Sequence, residues 1–282
     1  MRAAAALALG LACACDLAWA ADAPPPGSAP AEPALPRWEA GLAAGIGHVP
    51  DYPGAARART RGIVLPVLVY RGPVLRIDDG GIRGRVFNST DWSLDLSATG
   101  AFNAKADGLR QGMPALDYLF GIGPQAVYKG WLQHGAGPSL HLKLRALMST
   151  DLRHLDARGF SFDPELRWRL PAIAGTPAAL TLSLQPTWAS RPLHRYFYEV
   201  AAAEATATRP AFAARPGYLG TEVGATLSDR SARGLSWFVT ARAMSLHGAA
   251  NTASPLLRDR SNLSVGAGVI WTPWRSSERA AD

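Results

Sequence analysis

The residues best placed to do chemistry lie in two neighbouring stretches of alternating sequence. In the first, His141, Lys143 and Arg145 occupy every second position, with Leu140, Leu142 and Leu144 between them. In the second, Asp163, Glu165, Arg167 and Arg169 alternate with Phe162, Leu166, Trp168 and Leu170. Successive side chains of a strand point to opposite faces, so each stretch carries a charged row on one side and an apolar row on the other. Carboxylates set among cations at this spacing suit either a selectivity ring in a channel or a salt-bridge network that fills a narrow interior. Large side chains at many of the polar-face positions favour the filled interior. An imidazole in such a row is also a candidate general base, and a lipid-cleaving membrane barrel would use a strand-borne histidine beside a serine where acyl chains arrive. His141 alternates with the leucines and faces away from them, which argues against that use.

Other chemistry is sought without result. The sequence holds no phosphate loop, dinucleotide fingerprint, zinc-ligand spacing or Gly-x-Ser-x-Gly turn. The six histidines, at 48, 134, 141, 154, 194 and 247, are scattered. Neither a catalytic centre nor a cofactor is expected.

The N-terminal segment bears on which residues reach the mature protein. Arg2, an apolar run over residues 3–14 and a small-x-small end at Ala18, Trp19 and Ala20 form the three-part pattern of an export signal, with cleavage expected between Ala20 and Ala21. The apolar run is shorter than the roughly 20 residues of a helical span. Cys13 and Cys15, the two cysteines, both lie inside it, so no disulfide or thiolate metal site is expected after cleavage. Gly10 stands where a lipoprotein signal carries a large aliphatic residue, which argues against acylation of Cys13. The formal charge of +7 is dispersed along the chain. For an exported protein the anionic surfaces at hand are outer-membrane lipid and lipopolysaccharide, and nucleic acid is not expected as a partner.

Residues 21–36 are rich in alanine and proline and read as a periplasmic lead-in. From residue 37 the dominant period is two. Twelve strands are expected, over 37–48, 62–70, 73–78, 81–87, 91–102, 119–132, 137–149, 158–170, 178–190, 217–228, 235–247 and 261–272, with ten as the alternative count because the third and fourth are short. Asp79 and Gly80 form a tight-turn sequence between those two. Many of the runs reach about ten residues, the length a tilted strand needs to cross hydrocarbon. Long connections fall on one side: around 49–61, 103–118, 150–157, 191–216 and 248–260. Short ones fall on the other, as in a bacterial membrane barrel, with the Asp79–Gly80 turn as the exception on the long side. Tryptophans 38, 92, 131, 188 and 271 sit near strand ends, which suits interfacial aromatic girdles. The expected fold is therefore all-β, a closed antiparallel transmembrane barrel over 37–274 with a polar tail at 275–282. The 191–216 connection, with Tyr196, Phe197 and Tyr198, reads as a recognition loop, a plug, or a loop packing its own aromatics at the mouth.

Several strings resemble the MipA/OmpV family of outer-membrane proteins. Gly45 and Gly47 run into Pro50, Asp51, Tyr52 and Gly54; Pro66 and Tyr70 follow on the second strand. Later come Thr187 and Trp188, then Tyr196, Phe197 and Tyr198, then Gly217 and Tyr218, and finally Ser254 and Pro255 before the last strand. The resemblance implies an integral outer-membrane protein without catalytic activity. It also implies a scaffold role linking a periplasmic murein hydrolase to a penicillin-binding synthase. Other members look like osmotically regulated or adhesive surface proteins, and the alternative functions for this chain are a small-solute channel or a surface adhesion or stress-response barrel. One departure stands out: Trp271 and Trp274 are followed by a polar tail where such barrels end on an aromatic residue.

Overall fold

A computed structural model describes residues 36–71, 75–78, 81–89, 91–133, 135–230 and 234–278. The export signal with Ala20 and Ala21, the lead-in up to residue 35, the Asp79–Gly80 turn and residues 279–282 lie outside this description.

The chain is all-β. Ten long strands are β1 (Trp38–Pro50), β2 (Ala58–Arg71), β5 (Trp92–Ala101), β6 (Tyr118–Tyr128), β7 (Gly137–Thr150), β8 (Leu155–Leu170), β9 (Ala179–Ala189), β10 (Gly217–Arg230), β11 (Leu235–Ser245) and β12 (Ser261–Arg275). Between β2 and β5 lie two shorter ones, β3 (Leu75–Asp78) and β4 (Gly81–Asn88). Each pairs antiparallel with its sequence neighbour, and β1 also pairs with β12, the strand order of a closed barrel. The ladder is deepest at β7–β8, which runs from Gly137↔Arg169 to Thr150↔Leu155. It is thinnest at β2–β3, with Tyr70↔Ile77 and Arg71↔Arg76. Among the described residues no helix is long and apolar enough to cross a membrane. One short helix, α1 (Arg191–Tyr198), stands in the longest connection.

The expected long strands recur within a few residues, with instructive departures. The sixth stops at Tyr128 rather than 132, because Lys129 N–H turns to the Asp91 carbonyl at 2.7 Å and Leu132 N–H to the Lys129 carbonyl at 2.8 Å. The last runs on to Arg275, and Ser276 and Glu278 stay bonded to the start of β1, through Ser276 N–H to Trp38 O and Arg37 N–H to Glu278 O, both 2.9 Å. The beginning of the supposed polar tail is thus tied to the ladder. Near its end β12 bulges, passing from Leu42↔Trp271 to Ala40↔Trp274. The extra residue re-aims the chain, so Trp271 and Trp274 both face outward at 51% and 57% exposure. Gly41 sits against this bulge, where a Cβ would overlap the Trp271 carbonyl.

The burial pattern is inverted relative to a water-soluble sheet protein. Outward side chains of the strands are apolar and exposed, among them Leu42, Ile46, Val64, Leu144, Phe160, Val239 and Leu263. Inward side chains are polar and buried, including Glu39, Asp95, Gln125, Lys143, Asp163 and Thr272. The aromatics sort into two levels. Trp38, Trp92, Trp131, Trp168, Trp237, Trp271 and Trp274 ring one end, with Tyr128 bridging Trp92 and Trp131 at centroid distances of 5.0 and 4.8 Å. Phe162, Trp188 and Tyr218 stack toward the other end at 6.3 and 5.7 Å.

Candidate functional site

The alternating charged stretches meet inside the sheet. Strand register puts Asp95 beside Gln125, Gln125 beside Lys143 and Lys143 beside Asp163, one polar row across β5, β6, β7 and β8. Lys143 reaches Glu165 at 2.6 Å and the Gln185 side-chain oxygen at 2.9 Å. Glu165 also takes Arg167 at 2.7 Å. One level nearer the long connections, Arg145 meets Asp163 at 3.3 Å and donates to Ser97 Oγ at 3.0 Å, while Ser161 Oγ donates to Asp163 at 2.6 Å. His141 Nε2 lies 3.1 Å from Ser139 Oγ. Arg169 continues the row, half-buried, near the strand end. Lys143 has no exposed surface at all, and Arg145, Asp163, Glu165 and Arg167 are each at most 5% exposed. Packed this deeply and paired with one another, these charges present almost no free surface to the interior. Among the described residues no group of acidic, histidine or cysteine side chains could hold a metal.

The other half of the interior is different. The inward positions of β1, β2, β11 and β12 carry Ala43, Ile63, Leu65, Val67, Phe238 and Ile270, and they enclose a cavity of about 300 Å³.

Over both halves sits a folded cap built by the long connections. Its apolar core gathers Tyr52 and Ala55 from the first connection, Ala104 and Leu116 from that before β6, Leu193, Phe197 and Tyr198 from α1, and Leu246, Ala249 and Leu257 from that before β12. Hydrogen bonds lock the pieces together. Tyr198 Oη donates to Pro53 O, Tyr52 Oη to Leu256 O and Tyr196 Oη to Asp117 O, each at 2.9 Å. Ser254 Oγ donates to Tyr198 O at 2.7 Å. Burial pushes the phenols of Tyr52 and Tyr196 up to about 12, and that of Tyr198 higher still, since a phenolate there would be desolvated. Gly54 has φ of +81°, which glycine adopts without strain, and its carbonyl accepts from Arg258 and Asp259 N–H at 2.9 and 3.1 Å. Asp51, beside it, binds Arg59 and Arg61, both at 3.0 Å, and Arg59 continues to Asp107 at 2.7 Å.

Most of the resemblance-bearing residues therefore converge. Pro50, Asp51, Tyr52, Gly54, Tyr196, Phe197, Tyr198, Ser254 and Pro255 all belong to the cap. Trp188 stands outside it in the nearer aromatic level, 42% exposed. Pro66 lies on the outer face of β2, and the backbone of Tyr70 pairs with Trp38 and Ile77 at the opposite end of that strand; neither joins the cap.

Several cap residues escape the sequence reading. Buried Asn251 takes Arg215 N–H on its oxygen at 2.8 Å, which orients its amide to donate to Arg215 O at 2.8 Å and to His194 Nδ1 at 2.9 Å. His194 Nε2, 3.1 Å from Gly217 O, is then the protonated nitrogen, and desolvation lowers the imidazole pKa. Arg209 donates to the carbonyls of Leu109 at 2.6 Å, Gln111 at 2.9 Å and Glu204 at 2.6 Å, sewing two connections together. Arg110 lies over the Tyr52 ring at 5.7 Å and donates to Phe197 O at 3.2 Å. A lone arginine in a polar connection reads in sequence as a solvated charge, so no local signal marks these roles.

No curated protein matches the chain. A solved structure titled "NanC porin structure in rhombohedral crystal form" is similar at 8% identity and a TM-score of 0.39, over 82% of this chain and 99% of that one. The family model for "MltA-interacting protein MipA" matches residues 42–273, the bulk of the strand-bearing chain. The protein belongs to the MltA-interacting protein MipA family.

Proposed function

We propose that the mature chain is a closed twelve-stranded barrel of the outer membrane, sealed at its outer mouth and without catalytic activity. It serves as a membrane-held scaffold for a murein hydrolase of the kind named in its family. The carrying observation is the inverted burial, with leucine, valine and tryptophan outward and paired charges inward, capped by a packed core. A barrel in lipid satisfies its backbone by closure and turns its apolar face to hydrocarbon. The lengths agree: the 11 residues of β9, at about 3.4 Å each and tilted about 45°, rise roughly 26 Å, close to the ~25 Å apolar band of such barrels. On this reading the signal is removed after Ala20, the tryptophan-rich end faces the periplasm, and the cap faces outward toward lipopolysaccharide.

The packed charge network and cap favour a scaffold over a small-solute channel. Two measurements test this. In planar bilayers the purified chain shows no steady conductance; a stable open pore would refute the sealed mouth. Immobilised folded protein in detergent retains a purified membrane-bound lytic murein transglycosylase, and with it a penicillin-binding synthase; failure to retain the hydrolase would refute the scaffold role. Recovery of the native protein as freely soluble without detergent would refute the membrane assignment itself.

A further inference from the structure

We infer that the apolar half of the interior is a binding site for a single-chain carboxylate of the fatty-acid type, held with its chain toward the tryptophan-rich end and its carboxylate toward the cap. The cavity of about 300 Å³ is at the small end of the ~300–1,000 Å³ range of ligand pockets. Its walls are chemically divided along the barrel axis. Strand register sets Ala43 beside Leu65 and Ile270, and Phe238 beside Gly268, in the deeper part. Toward the cap, Gly47 faces Arg61 and Gly266, and Arg242 faces Ser264.

Three observations point to this occupant. First, facing apolar walls within an otherwise polar interior lose dispersion contacts unless something apolar fills the space, and apolar cavities do not hold water well. Second, the cap end of the cavity wall carries two guanidinium groups, Arg61 and Arg242, each also in contact with a carboxylate, Asp51 at 3.0 Å and Glu222 at 3.1 Å. Third, Arg61 gives its terminal nitrogens to Asn103 at 3.3 Å and Asp51 at 3.0 Å, yet its buried Nε has no hydrogen-bond partner among the described residues. A buried donor without an acceptor suits a ligand oxygen. Small residues leave the room: Gly45, Gly47 and Gly266 keep β1 and β12 from filling it.

The inference rests on the barrel reading, and a heat-modifiable gel shift of the same sample checks that reading separately. The full-length protein in lipid nanodiscs is titrated with radiolabelled decanoate, taking uptake in excess of protein-free nanodiscs. The expected result is one saturable site per chain, weakened at least tenfold by Ala43→Phe or Ser264→Phe, which fill the space, and at least tenfold weaker for decanol than for decanoate. A folded barrel with only non-saturable uptake, or with saturable uptake unchanged by both substitutions, overturns the site. Equal affinity for decanol overturns the carboxylate assignment. Should both variants fail to fold, a diazirine-bearing decanoate on the native chain decides. Labels on the inward residues of β1, β2, β11 and β12 support the site, and labels confined to the outer face overturn it.

Discussion

Replacing Tyr198 by alanine should unlatch the cap while leaving the barrel intact. The side chain has no exposed surface, stacks near His194 and Phe197 with centroids 5.9 Å away in each case, and donates a 2.9 Å hydrogen bond to Pro53 O. Truncating a buried aromatic residue to alanine costs about 3–5 kcal/mol. Tyr198→Phe keeps the ring and removes only the donor to Pro53 O, a loss of about 1–3 kcal/mol for a buried acceptor left unpaired. At about 1.4 kcal/mol per tenfold, alanine raises the open population by roughly a thousandfold and phenylalanine by roughly tenfold. Trypsin reads that population directly when opening is fast relative to cleavage. Arg110, which precedes Gln111, is the informative site, because its buried guanidinium donates to Phe197 O of α1 and to Pro114 O and is released only when two connections part. Cleavage after Arg110 should therefore accelerate in the order wild type, Tyr198→Phe, Tyr198→Ala, with the heat-modifiable barrel unchanged. Equal cleavage rates in all three would refute the claim that these connections form one cooperative cap.

Other consequences follow from the same geometry. Deleting residues 192–215 should convert a silent barrel into one with measurable conductance in planar bilayers, although the charge network keeps it small; continued silence would mean the network alone closes the lumen. Lys143→Met leaves Glu165 beside Arg167 with one cation fewer, and breaking a buried ion pair costs about 3–5 kcal/mol. Denaturant unfolding in micelles measures that loss, and a cost below about 1 kcal/mol would mark the pair as water-screened. Phenols held neutral by the cap ionise near their ordinary value once it opens. The phenols' contribution to cap stability is thus constant below about pH 10 and falls as pH rises from there toward 12, by more than one proton's slope, as absorbance at 295 nm should show. His194, whose folded pKa is depressed, acts in the opposite direction: its open form takes a proton below about pH 6.5 while the closed form resists. Hydrogen exchange at Ala249, whose N–H bonds Leu246 O at 3.1 Å, should quicken as pH-corrected protection falls below that value, and His194→Gln should flatten the dependence.

The strand pattern was legible because a barrel in lipid imposes period two on every segment with one face always apolar. His141 to Arg145 and Asp163 to Arg169 announce their face with no tertiary information. The one-sided run of long connections was legible for the same reason, since connection parity follows once strands are marked. What sequence could not supply is how those connections fold. Tyr196, Phe197 and Tyr198 stood out as an aromatic cluster, yet the partners of the two phenols, Asp117 and Pro53, are met at backbone carbonyls, which leave no trace in residue type. His194 and Asn251 meet across 57 positions, a pairing set by the return of the chain to the barrel mouth. The bulge at Trp271 and Trp274 was hidden too, because one extra residue reverses the alternation on which strand reading depends.

The two halves of the molecule bury opposite chemistries, and this decides how each is stabilised. Between the aromatic levels the exterior is apolar and the interior is ionic across β5 to β8, where ladder hydrogen bonds and paired charges such as Lys143 with Glu165 hold the strands, while β1, β2, β11 and β12 turn apolar side chains inward around the cavity. Above that level the order reverts to that of a soluble domain, with Leu193, Phe197, Tyr198, Leu246 and Leu257 packed inward. Hydrophobic burial depends on water, so the cap is held by a force that detergent and denaturant weaken directly, while under the proposed membrane placement the ladder is held by bonds that have no competing solvent. The cap is therefore the less stable cooperative unit, anchored to the barrel through covalent strand ends and a few carbonyl acceptors. A surface built this way is free to vary its outward connections without disturbing the strands, provided Tyr52, Tyr198 and Ser254 keep the contacts that close the mouth.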